Sequence, residues 1–301
     1  MIAGRRIADD EPAYVIAELG HNHGGSLETA REVIRAAAAA GASAVKLQKR
    51  DNKTLYTAEA YARPYESENS FGATYGEHRE ALEFDHSDYL SLQHYVRVRY
   101  HNLALFATAF DQQSADFLME LGVPAFKIAS NDVINLPLLK YVAKFGRPII
   151  VSTGAASQQD VDRAVNAIYP INPQLALLQC TAVYPCPPEL LNLNVITTYS
   201  ERYPELVIGL SSHFSHPYDV LVACTLGARI FEKHFTMDRA SKGTDHAFSL
   251  EPGGFAGMVE HLKQAQLMLG NGSKRVFDDE MGAIDKMRKG TRWYQEMYAS
   301  E

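Results

Sequence analysis

The chain has 301 residues, which is enough for one large α/β barrel or two average domains. A net charge of −7 argues against a nucleic-acid partner, and no stretch approaches the ~20 uninterrupted apolar residues of a membrane span. The three cysteines, Cys180, Cys186 and Cys224, have no paired spacing, and the N-terminal segment lacks the apolar run of a signal peptide. These features predict a cytoplasmic protein with reduced thiols.

Short apolar runs alternate along the chain with segments of helical periodicity. There are eight such runs: "AYVIAE" (13–18), "SAVKLQ" (43–48), "LALFAT" (103–108), "PAFKIA" (124–129), "RPIIVS" (147–152), "LALLQC" (175–180), "ELVIGL" (205–210) and "ARIFEK" (228–233). Between them, residues 111–122 open with a capping Asp and end in Gly, and residues 157–168 open with a loose capping box. The pattern predicts a (β/α)8 TIM barrel in the α/β class. A doubly wound open sheet is the alternative, although no Gly-x-Gly-x-x-Gly turn follows the first strand.

Two segments fall outside this repeat. Residues 49–85 are much longer than a normal βα loop and are expected to form part of a substrate pocket. Residues 273–301 are charged with a weak helical pattern. We therefore assign residues 1–272 to the barrel and 273–301 to a helical, linker-like tail that docks on the barrel or on a partner.

Polar side chains stand at the end of every predicted strand, where the sites of TIM barrels are built. Lys46 and Lys127 lie in otherwise apolar strands, where an unpaired charge is costly. Together with nearby hydroxyls and the "STG" turn at 152–154, they predict a pocket for a phosphate-bearing anion. A single strand lysine is usually only a solvated side chain, so the prediction depends on the convergence of these groups.

Two histidines follow neighbouring strands, His213 after the seventh and His234 at the end of the eighth. Neutral imidazoles on adjacent strands can share one divalent ion, with water and substrate oxygens completing its shell. Glu18, at the end of the first strand, is a candidate base or water-positioning group.

The chain resembles the catalytic barrel of the sialic acid synthase family, which contains the N-acetylneuraminate, legionaminate and pseudaminate synthases. The resemblance covers roughly residues 10–270. The motifs that carry it are "VIAELGHNHGG", "AVKLQ", "FDQQSADFLMELGVPAFKIAS", "LPLLKYVAKFGRPIIVSTGAAS", "LLQCTAVYPCPPELLNLNVI" and "GARIFEKHFTMDRASKGTDHAFSLEP".

This resemblance implies a transferase that condenses phosphoenolpyruvate with an open-chain aldose, such as N-acetylmannosamine, and releases phosphate. It implies a divalent metal, commonly Mn²⁺ with Mg²⁺ or Co²⁺ as alternatives, held by His213 and His234. The positions that match the phosphoenolpyruvate pocket are Lys46, Thr108, Lys127, Ser130, Ser152 and Ser211. Those that match the sugar and catalytic positions are Glu18, Tyr184 and Asp245, with Asn69 as a sugar-binding residue.

Three departures from the family pattern accompany the resemblance. Members usually carry a C-terminal antifreeze-like domain that lends an Arg to the partner subunit's sugar site, and this chain stops at Glu301. We therefore expect a homo-oligomer of unspecified geometry, or a partner protein that supplies the contact. Ala182 stands where members often have Asn, which removes a phosphoenolpyruvate contact. Ser212 replaces the acid of the common "SDH" motif.

Two other functions remain open from the residues. One is a Schiff-base aldolase that uses Lys127 or Lys46. The other is a non-catalytic barrel that binds a sugar phosphate or a metal as a regulatory or scaffold subunit.

Overall fold

The eight apolar runs form a closed parallel barrel in which each strand pairs with its neighbours in chain order. A computed structural model describes residues 1–298 of the chain. The strands are β1 (Tyr14–Gly20), β2 (Ala44–Lys49), β3 (Ala104–Ala109), β4 (Phe126–Ile128), β5 (Ile149–Ser152), β6 (Leu175–Gln179), β7 (Val207–Ser212) and β8 (Ile230–His234). The predicted TIM barrel is confirmed.

The strands are buried on both faces. Every residue of β1 and β3 is buried, because one face of each strand lines the barrel interior and the other packs against helices. Such strands carry continuous apolar sequences rather than alternating ones, which is why they are recognisable as apolar runs. Pairing of β1 with β8 closes the barrel and sets Glu18 opposite His234, while pairing with β2 sets Glu18 opposite Lys46.

Helices follow the strands and cover the barrel. Those of the repeat are α1 (Leu27–Ala39), α5 (His86–Arg99), α6 (Gln112–Glu120), α7 (Leu136–Ala143), α8 (Gln158–Ile168), α9 (Val195–Arg202), α10 (Asp219–Thr225) and α11 (Pro252–Leu269). Asp111 caps α6, and Ser157 and Asp160 form the predicted capping box of α8. These caps satisfy amide groups that have no partner within the first helical turn.

The long segment after β2 folds into three short helices rather than an open loop. They are α2 (Asn52–Leu55), α3 (Ala58–Ala62) and α4 (Tyr75–Glu80). Between α3 and α4, the Oδ1 atom of Asn69 accepts a hydrogen bond of 2.9 Å from Gly243 N. The segment therefore touches the loop that follows β8.

The chain divides into two compact units, Met1–Gln266 and Leu267–Glu301. The described part of the second contains α12 (Met281–Ile284), a π-helical turn at Asp285–Lys289 and α13 (Arg292–Tyr298). The predicted boundary at residue 272 and the docking of the tail stay predictions. Within residues 1–298, no helix is both long and apolar enough to span a bilayer.

Candidate active site

A cavity of about 200 Å³ opens at the carboxyl ends of the strands. It brings together every predicted site residue except Asn69. Those residues are Glu18, Lys46, Thr108, Lys127, Ser130, Ser152, Tyr184, Ser211, His213, His234 and Asp245. Asn69 instead contacts the loop after β8, and its predicted role in binding sugar stays a prediction.

One side of the cavity holds two buried ammonium groups surrounded by hydroxyls. Lys46 Nζ donates to Thr108 Oγ1 at 2.8 Å, and Lys127 Nζ donates to Ser152 Oγ at 2.6 Å. Both lysines are 2% exposed. This arrangement offers charged and neutral hydrogen-bond donors to an anion.

The "STG" turn adds a backbone donor to the same side. Gly154 N donates to Ser130 Oγ at 3.0 Å, and a Cβ at Gly154 would lie 2.8 Å from that oxygen. Glycine therefore permits the close approach of this turn to Ser130. Ala182 lies beside Gly154 and contributes no polar side-chain atom there.

Glu232 supplies the counter-charge between the two lysines. Its carboxylate lies 3.7 Å from Lys46 Nζ and 3.6 Å from Lys127 Nζ, and it accepts a hydrogen bond of 3.0 Å from Ser211 Oγ. Burial alone raises the pKa of Glu232, but Lys127 and Lys46 outweigh burial and hold it below its usual range. Burial lowers the pKa of Lys127, and the charge of Glu232 opposes that effect.

Glu18 stands between the lysines and the histidines. Its Oε2 atom lies 2.5 Å from Lys46 Nζ, and its Oε1 atom accepts a hydrogen bond of 2.8 Å from Gln48 Nε2. The strand register places His234 on its other side. A carboxylate in this position can exchange a proton with a group bound between the two clusters.

The two predicted metal ligands, His213 and His234, are adjacent, with ring centroids 5.5 Å apart. His213 Nδ1 lies 2.9 Å from the carbonyl oxygen of Thr181. A carbonyl can only accept, so Nδ1 carries the hydrogen and Nε2 keeps a lone pair. Burial, and secondarily the neighbouring His234, lowers the pKa of His213 to about 3, so its imidazole is neutral at physiological pH.

His234 has a buried Nδ1 atom without a hydrogen-bond partner among the described residues. Asp245 Oδ2 lies 3.5 Å from it. Within residues 1–298, no group of three or more His, Cys, Asp or Glu side chains is arranged to hold a metal. The unpartnered Nδ1 atom of His234 and the lone pair on Nε2 of His213 are compatible with a divalent ion, which would take only these two imidazoles from the described chain and its other ligands from water or substrate.

Tyr184 and Asp245 border the histidines. The Tyr184 ring lies against His213, with centroids 3.9 Å apart. Thr244 Oγ1 donates to Asp245 Oδ1 at 2.8 Å. An aromatic face and a carboxylate next to the imidazoles form a suitable border for a polyhydroxylated substrate.

The cavity also contains residues that the sequence reasoning did not assign to it. They are His21, Gln48, Arg50, Arg79, Phe110, Ala129, Asn131, Cys180, Glu232 and Thr244. Glu232 could have been found from the sequence, because it is two residues before His234 and strand side chains alternate in direction. Arg79 could not, because it belongs to the long segment whose fold no periodicity reveals.

Lys233 points away from the cavity. It contacts the loop after β7, which carries His213, and holds that loop in place. Its Nζ atom donates to Phe214 O at 2.6 Å and lies 3.2 Å from Asp219 Oδ2. Ser212 Oγ donates to the same carboxylate. Asp219, at the start of α10, therefore places a carboxylate next to Ser212, the position at which the "SDH" motif has its acid.

A closed βα barrel whose buried ionisable groups converge at the carboxyl ends of its strands has the architecture of an enzyme. The chain belongs to the NeuB family, whose model matches residues 33–274. Human N-acetylneuraminate-9-phosphate synthase is 39% identical over 288 residues, which cover 95% of this chain and 79% of that protein. N,N'-diacetyllegionaminic acid synthase of Legionella pneumophila is 34% identical over 274 residues, covering 89% and 76% respectively.

Among solved structures, N-acetylneuraminic acid (sialic acid) synthetase from Leptospira borgpetersenii, crystallised with citrate, superposes with a TM-score of 0.83 at 31% identity. The match covers 97% of both chains. The resemblance to the sialic acid synthases is confirmed. The chain is a sialic acid synthase-like enzyme of the transferase type, from a family of nonulosonic acid biosynthesis.

Proposed function

We propose that the enzyme condenses phosphoenolpyruvate with an open-chain aldose to give a 2-keto-3-deoxy sugar acid and phosphate, in a reaction that depends on a divalent metal such as Mn²⁺. One observation carries the proposal. A single cavity holds a cluster of ammonium and hydroxyl groups beside the pair of imidazoles of His213 and His234, with Glu18 between them. The names of the relatives, which are synthases of nonulosonic acids, support the same reaction.

Lys46 and Lys127 bind the phosphate and carboxylate groups of phosphoenolpyruvate, assisted by the hydroxyls of Thr108 and Ser152. In the free enzyme their charges are balanced by Glu18 and Glu232, so the ammonium groups are held in place before the substrate arrives. Such preorganisation fixes the methylene carbon of phosphoenolpyruvate next to the bound aldehyde.

A divalent cation held by His213 and His234 would supply a Lewis acid for the aldehyde of the acceptor. Tyr184 and Asp245 position the acceptor's hydroxyl groups, and the long segment after β2 with the loop after β8 excludes water. The methylene carbon attacks the aldehyde carbon, a C–C bond forms, and the aldehyde oxygen takes a proton and becomes a hydroxyl.

Water then adds to the cationic carbon C2 of the former phosphoenolpyruvate. Glu18, which pairs with Lys46 of the phosphoenolpyruvate pocket, takes one proton of that water and so balances the proton that the aldehyde oxygen took up. The bond between C2 and the bridging oxygen breaks, phosphate leaves with that oxygen and with the second proton of the added water, and C2 becomes the ketone. Overall, phosphoenolpyruvate, the aldose and water are converted to the keto acid and phosphate.

The geometry disfavours the Schiff-base alternative. Each lysine faces a carboxylate, Glu18 at 2.5 Å from Lys46 and Glu232 at 3.6 Å from Lys127. Each amine also donates a hydrogen bond to a hydroxyl, Lys46 to Thr108 and Lys127 to Ser152, and would have to leave these partners to attack a carbonyl. Treatment with borohydride and pyruvate is therefore expected to leave both lysines unmodified, and a trapped adduct would favour the aldolase.

The decisive experiment uses phosphoenolpyruvate with ¹⁸O in the bridging oxygen, with Mn²⁺ or EDTA, across a panel of aldoses that includes N-acetylmannosamine. We expect labelled phosphate only when both metal and an acceptor are present. Unlabelled phosphate, or release without an acceptor, contradicts the mechanism. Tight ligand binding without any release would favour the non-catalytic binding barrel.

The family comparison leaves the acceptor open. The name of the human relative carries a 9-phosphate, whereas that of the Legionella relative does not. Both are compatible with the aldehyde chemistry described above.

A further inference from the structure

A second cavity, which we call the floor cavity, lies at the amino ends of β1, β2 and β3, opposite the active site. Its volume is about 470 Å³, and it is lined by residues 2–5, Tyr14, Ser43 and residues 101–104. Within residues 1–298, none of its lining residues belongs to the active-site cavity. Its size is that of an ordinary small-molecule site, and the condensation makes no use of it.

An N-terminal hairpin sets the position of Arg5 in this cavity. Ile2 and Arg5 exchange two backbone hydrogen bonds of 2.9 Å, and the two residues between them have φ angles of 48° and 79°. Positive φ at both central positions is the geometry of a tight two-residue turn. The turn brings Arg5 back over the start of β1, where its guanidinium carbon lies 5.3 Å from the centroid of the Tyr14 ring.

Arg5 makes only neutral contacts with the described part of the chain. Its Nη1 atom donates to Ser43 Oγ at 2.7 Å, and its Nη2 atom donates to the carbonyl oxygens of Pro12 and Ala13 at 3.0 and 2.9 Å. No carboxylate of residues 1–298 lies within 4 Å of the guanidinium, and its Nε atom has no acceptor among the same residues. A partly buried cation of this kind is stabilised when an anion binds to it.

Two hydroxyl groups beside Arg5 keep a hydrogen that no described residue accepts. Ser43 Oγ accepts from Arg5 and, at 3.1 Å, from Val15 N, so only its own hydrogen remains to be donated. The Tyr14 hydroxyl is buried and has no hydrogen-bond partner within residues 1–298. Burial, opposed only in part by Arg5, raises the pKa of Tyr14 above its usual range, so the hydroxyl keeps its proton and can donate it. Buried polar groups normally have partners, so an unpaired hydroxyl in the wall of a cavity points to an acceptor from outside the chain.

The walls of the floor cavity indicate the chemical class of the ligand. The guanidinium and the two hydroxyls have hydrogens to donate, and no Asp or Glu of residues 1–298 lines the cavity. One guanidinium with two neutral hydroxyls balances a single negative charge, which suits a carboxylate better than a phosphate dianion. Ile2, Leu103 and Ala104 supply a buried apolar wall, so the rest of the ligand should be apolar and compact. Residues 101 and 102, at the edge, are exposed and leave the cavity open to solutes.

We propose that the floor cavity binds a small organic monoanion, a carboxylate with a compact apolar body about the size of benzoate, through the guanidinium of Arg5 and the hydroxyl of Tyr14. The two carboxylate oxygens accept the free N–H groups of Arg5 and the hydrogen of Tyr14. The inference is independent of the proposed condensation, because Tyr14 lies four residues, or about 13 Å, from Glu18 along β1. Ligands of the two sites therefore do not exclude one another.

The test titrates the whole chain with 4-fluorobenzoate and with its neutral counterpart 4-fluorobenzamide, each followed by ¹⁹F nuclear magnetic resonance. Saturating phosphoenolpyruvate is present without an acceptor, so that the anion-binding groups of the active site are occupied. We expect the acid to bind about tenfold or more tightly than the amide, because only the acid forms charged hydrogen bonds with Arg5. Equal affinities, no binding of the acid at millimolar concentration, or loss of its binding when phosphoenolpyruvate is added would overturn the inference.

Variants of two neighbouring arginines locate the site. Arg5→Gln should weaken the binding of 4-fluorobenzoate about tenfold or more, and Arg5→Lys should keep part of the affinity. Arg6→Gln is the matched control, because Arg6 is exposed, pairs with Asp10 and should leave the affinity unchanged. Unchanged affinity in Arg5→Gln, or an equal loss in Arg6→Gln, contradicts the assignment of the site to the floor cavity.

Tyr14→Phe separates binding from structure, and it decides the question if Arg5→Gln does not fold. The substitution removes a hydroxyl that has no partner in the free protein, so the Tm of the free protein should not fall. The affinity for 4-fluorobenzoate should fall about fivefold, because the hydrogen bond to the bound carboxylate is lost. Unchanged affinity, whatever the Tm, would show that the hydroxyl does not meet the ligand and would overturn the inference.

Discussion

Glu232 Oε1 lies 3.6 Å from Lys127 Nζ, in a pair that is almost entirely withdrawn from solvent. Lys46 shares the same carboxylate at 3.7 Å. One buried acid thus holds two buried ammonium groups in position for an anionic substrate. The arrangement is stable without substrate because Glu18 provides the second negative charge.

Glu232→Gln should lower the stability of the free enzyme by about 3 kcal/mol, because two buried ammonium groups would share one carboxylate. Phosphoenolpyruvate should restore much of this loss, since its negative charges replace the missing one. Thermal unfolding with and without phosphoenolpyruvate measures both effects. The ligand-induced rise in Tm should exceed that of wild type and of Glu205→Gln, an exposed control. Equal ligand-induced shifts would contradict this account of the pocket.

His213→Ala and His234→Ala should each lower metal-dependent turnover by at least about 100-fold, because each removes one of the two imidazoles available to the ion. Mn²⁺ binding, followed by electron paramagnetic resonance, should weaken in parallel. His94→Ala, at an exposed position on α5, should change neither quantity. A fully active double variant would end the metal assignment.

The barrel was predictable because buried parallel strands have continuous apolar sequences with helices between them. The pocket around Lys46 and Lys127 was predictable for a related reason. Each lysine interrupts an apolar strand, where a buried charge needs partners of opposite charge or hydrogen-bond acceptors. Arg79 was not predictable, because its place over the cavity depends on how α2, α3 and α4 pack. Nor was the pairing of Lys233 with Asp219, which depends on the course of the β7–α10 loop. Cytoplasmic location, the homo-oligomer, the partner protein, the metal and the effect of Ala182 stay predictions.

Asp219→Ala should destabilise the protein by about 3 kcal/mol, because it leaves Lys233 buried without its counter-charge. The loop that carries His213 should loosen as well, and Mn²⁺ affinity should fall. Chemical unfolding of Asp219→Ala, Lys233→Met and the double variant forms a double-mutant cycle. We expect the loss in free energy of unfolding of the double variant to be clearly smaller than the sum of the losses of the two single variants. Strict additivity of the two losses would show that the two side chains do not interact. Asp279→Ala, at an exposed position, is the control and should leave the free energy of unfolding unchanged.

Asp132 makes stability depend on pH in the acid range. Burial raises its pKa from 3.8 to about 6, so the folded protein binds a proton that the unfolded chain releases between these values. The contribution of Asp132 to the free energy of unfolding therefore becomes unfavourable as pH rises from about 4 to about 6. The shift corresponds to about 3 kcal/mol, which partial solvent exposure reduces to roughly 1–2 kcal/mol.

Asp132→Asn should consequently be more stable than wild type by that amount at pH 7.5 and equally stable at pH 4. Urea unfolding at a series of pH values checks this. A constant difference between the two proteins across the range would exclude Asp132 as the titrating group.

The register that sets Glu18 opposite His234 joins the first strand of the barrel to the last. A growing or refolding chain can form most of the barrel wall and still lack this pair. Competence to bind both substrates therefore requires that β8 has docked against β1, whatever the order in which the other strands pair. Ligands that bind only the closed form shift the equilibrium toward it. The substrates thus stabilise the closed barrel as well as reacting in it.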